Sequence, residues 1–100
     1  MAKKYKVVIN SQADHAMSAH IRFLARASAP AAGRLKKTLV AKLRTLKDNP
    51  YAYPVFESKT TLRDYRKIVI GRYIILYEIS ERDRTVYVKF IWDSRMDNAL

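Results

Sequence analysis

Apolar positions follow two different periods along this chain, and the switch between them marks its elements. Tyr5-Lys-Val-Val-Ile9 is rich in β-branched and aromatic residues and predicts a first strand, ended by Asn10-Ser11. Beyond it Ala13, Met17, Ile21 (or His20), Leu24 and Ser28 recur at helical spacing, with Arg22 and Arg26 off that stripe. Ser11 followed three residues later by Asp14 fits a capping box and places the helix start at Ser11. Ala29-Pro30 interrupts this helix and offers a proline at the first position of the next. The second helix has the cleanest stripe: Ala32, Leu35, Leu39, Leu43 and Leu46, with Arg34, Lys36, Lys37, Arg44 and Lys47 on its other faces. Asp48-Asn49-Pro50 ends it, and the short break between the two predicts an antiparallel helical hairpin.

Residues 51–64 read as a loop or a short irregular strand, framed by prolines and polar at Glu57-Ser-Lys-Thr-Thr. Tyr65–Ile70 and Tyr73–Ile79 are strong strand candidates separated by Gly71-Arg72, a tight-hairpin signal. Ser80-Glu-Arg-Asp-Arg84 makes a further turn, and Thr85–Trp92 alternates as a last strand before a polar tail. The predicted order is β-α-α-β-β-β in a single domain over residues 1–100. Both helices carry an apolar stripe that needs burial. The fold class is therefore α+β, with the helical hairpin packed on one face of a small, mainly antiparallel sheet.

Charge adds direction to this scaffold. Twenty Lys and Arg stand against nine Asp and Glu, a formal net charge of +11. Residues 1–50 hold 11 basic and 2 acidic side chains and residues 51–100 hold 9 and 7, so the excess belongs to the helical half. Such a field attracts polyanions or an acidic protein partner. The chain has no cysteine, which excludes disulfides and thiolate metal sites and fits the cytoplasm. His15 and His20 are five apart, a poor spacing for a helical metal pair, and no cofactor or metal is expected. No apolar run approaches a membrane span, and no secretory leader is expected ahead of Val7.

Tyr65-Arg-Lys-Ile-Val-Ile-Gly-Arg-Tyr-Ile-Ile-Leu-Tyr77, a turn, and Val86-Tyr-Val-Lys-Phe-Ile-Trp-Asp-Ser-Arg95 resemble the RelE/ParE superfamily of toxins from type II toxin–antitoxin systems. The resemblance implies a growth-inhibiting toxin and a cognate antitoxin with an acidic toxin-binding segment. It implies two possible activities. RelE-like members cut mRNA in the ribosome as metal-independent endoribonucleases. ParE-like members poison DNA gyrase and need no nuclease site. A basic RNA-binding domain without toxicity is a third reading. Ribosome-dependent mRNA cleavage leads, because the positive field suits that target.

Metal-free RNA cleavage needs a base for the 2′-hydroxyl, cations on the crowded phosphate and an acid for the leaving oxygen. By the resemblance, Arg66 at the start of the hairpin and Arg95 after the last strand are catalytic candidates, with Lys67 beside them. The match is incomplete: Ile68 and Ile74 stand where the family has a lysine and an arginine, and a C-terminal tyrosine would lie beyond Leu100. Arg66 and Lys67 are adjacent in a strand and should point to opposite faces. Lys59, Arg63 and Arg72 on loops and turns, with Lys89 on the last strand, are candidate nucleic-acid contacts, against a plain solubilising role. Asp93, Tyr87 or Tyr65 is a candidate acid or base. Tyr73, Tyr77 and Tyr87 could stack bases, but aromatic strand residues more often pack the core, as expected of Phe90 and Trp92. Ile74 and Leu76 would seat the antitoxin if they face a cleft.

Overall fold

A computed structural model of the chain describes residues 4–57 and 64–95. Its elements are β1 Lys6–Ile9, α1 Ser11–Ala27, α2 Ala29–Thr45, β2 Arg66–Ile70, β3 Tyr73–Ser80 and β4 Thr85–Asp93, in the predicted order. The cap of α1 lies one residue earlier than predicted. Asn10, in extended conformation, accepts the Ala13 N–H on its side-chain oxygen at 2.8 Å, and Ser11 is already helical. Ser28 joins the helices. Its N–H donates to the Leu24 carbonyl at 2.8 Å, closing α1, while its hydroxyl accepts the Ala31 N–H at 3.2 Å, opening α2. One residue thus serves both helix ends, which is why the connection is so short.

The sheet order is β1-β4-β3-β2. β2, β3 and β4 form the predicted antiparallel meander. β1 joins it parallel to β4, pairing Val7 with Val86 and Ile9 with Val88. Gly71 at φ 57 supplies the left-handed residue that the β2–β3 turn requires. Leu76 pairs with Phe90 and Tyr77 with Val88, so Lys89 is the extra residue of a β-bulge.

The hairpin covers one sheet face, as its stripes demand. Ala13 and Met17 of α1 and Leu39 and Leu46 of α2 pack with Ile68, Ile70, Tyr73, Ile75, Tyr77, Val86, Val88 and Ile91. The opposite face is closed partly by the segment read as a loop or a short irregular strand, and by Tyr65 just before β2. Val55 forms a single antiparallel bridge with Arg66. Phe56 then meets Trp92 edge-on, with ring centroids 6.1 Å apart, and Tyr65 meets Phe90 at 5.9 Å. Leu76, on the same face, is fully buried and offers no seat for a partner, while Ile74 is half-buried. No helix of the described residues is long and apolar enough to cross a membrane.

Tyr77 ties the sheet to the segment leaving α2. Its buried hydroxyl donates to the Pro50 carbonyl at 2.5 Å, and burial pushes the phenol above its usual range. Tyr77→Phe removes the donor and leaves a buried carbonyl unsatisfied. It should lower stability by about 1–3 kcal/mol in urea unfolding with an unchanged slope; an unchanged midpoint would show that this bond contributes nothing.

Candidate functional site

Two clusters of polar side chains form at opposite ends of the sheet, and the candidate cations are divided between them. Arg66 opens β2 opposite Tyr77, on the helix-covered face. Its guanidinium donates to the Tyr53 carbonyl at 2.6 Å and the Tyr51 carbonyl at 3.3 Å, and lies 5.1 Å from the Tyr51 ring centroid. It thereby holds the 51–53 segment against the sheet. Arg66 also lines a cleft of about 400 Å³ with Tyr51, Val55, Asp64 and Ile79. Lys67, paired with Leu76, points to the opposite face, as adjacency in a strand requires.

Near this end Glu81 gathers partners from three parts of the chain. It accepts the Tyr5 hydroxyl at 2.5 Å and the Tyr51 hydroxyl on one oxygen, and Arg84 stands 3.1 Å from the other. Arg84 also donates to the Tyr5 hydroxyl at 2.9 Å, with its guanidinium 4.0 Å from the ring centroid. The tyrosyl hydroxyls hold the Glu81 carboxyl below its usual range; the same carboxylate raises Tyr5 and pushes Tyr51 up to about 12. No spacing in the sequence announces this cluster, because β-pairing and chain reversal assemble it.

The far end centres on Asp93, which is buried although a charged residue closing a strand was read as the start of a polar tail. Arg95 grips it twice through the side chain, at 3.3 and 3.1 Å, and once through its backbone N–H at 2.9 Å. Arg72, from the β2–β3 turn, lies 3.2 Å from the same carboxylate and donates to the Tyr73 hydroxyl at 3.2 Å. His20 of α1 meets Tyr73 edge-on, with ring centroids 5.1 Å apart. The Arg95 side chain is still 63% exposed, so part of its guanidinium faces solvent.

The three catalytic candidates do not share a cleft. Arg66 sits level with Tyr77, whereas Arg95 follows Asp93, which is level with Tyr73. Four residues of strand separate those levels, roughly 13 Å. Of the nucleic-acid candidates, Arg72 belongs to the Asp93 cluster. Lys89 sits on the bulge, 3.4 Å from Glu78 and 5.5 Å from the Tyr87 ring centroid. Lys59 and Arg63 lie outside the described residues. Tyr65, Tyr73 and Tyr77 are buried in packing, and Tyr87 is half-buried. Among the described residues no group of three or more His, Asp or Glu is placed to hold a metal ion.

The groups whose ionisation is displaced move away from neutrality, which suits fixed charge better than proton transfer. Arg95, through side-chain and then backbone hydrogen bonds, holds the Asp93 carboxyl below its usual range. A depressed native value means that the stabilisation is complete above the unfolded value, about 3.9, and is lost as pH falls through the native one. Thermal melts should therefore keep the Asp93 contribution from neutrality to about pH 4 and lose it below. Asp93→Asn should lower the melting temperature at pH 7 and narrow its gap to the parent on acidification; a gap constant from pH 7 to 2 would contradict this.

A family model, ParE toxin of type II toxin–antitoxin system, parDE, matches residues 7–98. No curated protein sequence matches the chain. Among solved structures, the toxin–antitoxin complex RelBE2 from Mycobacterium tuberculosis is similar with a TM-score of 0.63 at 18% identity, over 90% of this chain and 98% of that one. The archaeal RelE–RelB complex from Pyrococcus horikoshii OT3 is similar with a TM-score of 0.60 at 17% identity, over 93% of this chain and 98% of that one. Those likenesses show a shared fold; the family match spans nearly the whole chain. The chain belongs to the ParE toxin family of type II toxin–antitoxin systems.

Proposed function

We propose that this toxin arrests growth by binding and poisoning a macromolecular target, DNA gyrase, rather than by cutting mRNA. The observation that carries this reading is the separation of Arg66, Lys67 and Arg95. A metal-independent nuclease must bring cations, a base and an acid around one phosphate. Here Arg66 and Lys67 lie on opposite faces, and Arg95 lies at the other end of the sheet. Arg66 is engaged with the 51–53 carbonyls and Arg95 with Asp93. The family match to ParE over residues 7–98 supports the same choice. A binding inhibitor needs only an exposed, well-ordered surface, and the excess of positive charge on this one suits a target that carries DNA. This activity places the toxin in the cytoplasm. It is kept silent there by an antitoxin whose toxin-binding segment is acidic, a partnership supported by the toxin–antitoxin complexes to which the fold is similar.

The test uses the purified chain in two assays. In cell-free translation, mRNA should stay intact and protein synthesis should continue. With gyrase and supercoiled DNA, cleaved DNA should accumulate with toxin concentration. Cleavage of ribosome-bound mRNA that Arg95→Ala abolishes, with gyrase unaffected, would overturn the proposal in favour of an mRNA endoribonuclease.

A further inference from the structure

α1 buries one apolar stripe, and Phe23 is not on it. Ala13 and Met17 are buried and Ile21 and Leu24 half-buried, whereas Phe23 stands six residues beyond Met17, about 120° around the helix. Phe23 is 66% exposed, the most of any large hydrophobic residue among those described. Its neighbours one turn away on either side, Ala19 and Ala27, are exposed alanines too short to shield it. The ring therefore projects alone near the end of α1.

Cations surround it without carboxylates to neutralise them. Arg26 is three residues on, on the same side of the helix, and Arg22 lies one turn before Arg26; both are exposed. Ser28 alone separates the helices, so Arg34, exposed in the second turn of α2, belongs to the same end of the hairpin. Between Asp14 and Asp48 the sequence has eight basic residues and no acidic one. Neither Arg22 nor Arg26 has an ion-pair partner among the described residues. Arg26, in the last turn of α1, also suits the helix dipole, but Arg22 has no such part.

A projecting ring in a cationic collar suits a ligand that is anionic outside and flat and apolar within. Duplex DNA is such a ligand, because phosphates flank every base step and an apolar side chain can enter between stacked pairs. All three cations are arginines, whose planar fork matches phosphate oxygens. A lipid surface would gain little from one ring set among alanines. A second copy of this chain would bring another net charge of +11 to the same place. We propose that this end of the helical hairpin binds duplex DNA, with Phe23 wedged into a base step and Arg22, Arg26 and Arg34 on the flanking phosphates. The consequence for toxicity rests on the gyrase reading above: a wedge in the DNA that gyrase holds displaces the broken ends and slows their resealing.

The test uses the purified toxin and a short DNA duplex carrying the fluorescent base 2-aminopurine. Fluorescence should rise on binding as the base unstacks. Phe23→Ala should abolish the rise and weaken binding roughly tenfold, while Phe23→Trp keeps both. The double variant Arg22→Gln, Arg26→Gln should lower the slope of log affinity against log salt by about 2. With gyrase and supercoiled DNA, Phe23→Ala should leave roughly tenfold less cleaved DNA than the parent. Melting temperatures should stay parental, because all three positions are exposed. Parental cleavage by Phe23→Ala, or cleavage by the parent without unstacking of the duplex, would overturn the inference and leave the gyrase reading intact. Variants that bind DNA like the parent yet lose affinity for gyrase or for an acidic protein would assign the surface to a protein and overturn it too. A parent toxin that unstacks the duplex but leaves gyrase unaffected would uphold the DNA site and overturn the gyrase reading instead.

Discussion

The parallel pairing of β1 with β4 closes almost the whole chain into one loop, joining Lys6–Ile9 to Thr85–Val88. Closing a loop of that length costs on the order of 4 kcal/mol in chain entropy, which local helices and hairpins do not offset alone. Burial does so when β1 is in place, because the α1–α2 hairpin is then carried over the sheet. Ala13, Met17, Leu39 and Leu46 share one buried cluster with Ile75, Val86 and Val88 in that arrangement. The same pairing brings Tyr5 to Glu81 and Arg84, across 76 and 79 residues of sequence. β1 is thus the closing piece of the core.

The strand that closes the core also leaves the molecule unfinished. Its inner side is saturated by β4, while Val7 and Ile9 hold backbone groups outward beside an aliphatic slot. Natural sheets protect such edges with charge, short strands or a covering element. Here the strand is four residues long and flanked by Arg44 and Lys47.

Charge elsewhere is spent on structure more than its abundance suggests. Arg66 braces the segment after α2, Arg72 and Arg95 enclose Asp93, and Lys89 meets Glu78. The helix-free face is closed partly by Phe56 and Tyr65 against Trp92 and Phe90. Basic side chains that hold a sheet together are poorly placed to reorganise around a phosphate. That is the physical reason for favouring a binding toxin over a nuclease on this scaffold.

Much of the fold was legible in the sequence, since helical and strand periods, Gly71 and Pro30 act on near neighbours. The order β-α-α-β-β-β, the stripe from Ala32 to Leu46 and the opposed faces of Arg66 and Lys67 all follow from spacing alone. The cap of α1 was misplaced by one residue because Asn10 and Ser11 can both accept the required hydrogen bond. The clusters were not legible. Asp93 looked like the start of a polar tail, and its burial depends on Arg72 arriving from a turn two strands away. Tyr5, Tyr51, Glu81 and Arg84 share no local pattern. Tertiary structure alone decided which cations are engaged and which strand edge stays open, because β-register couples residues that sequence spacing leaves independent.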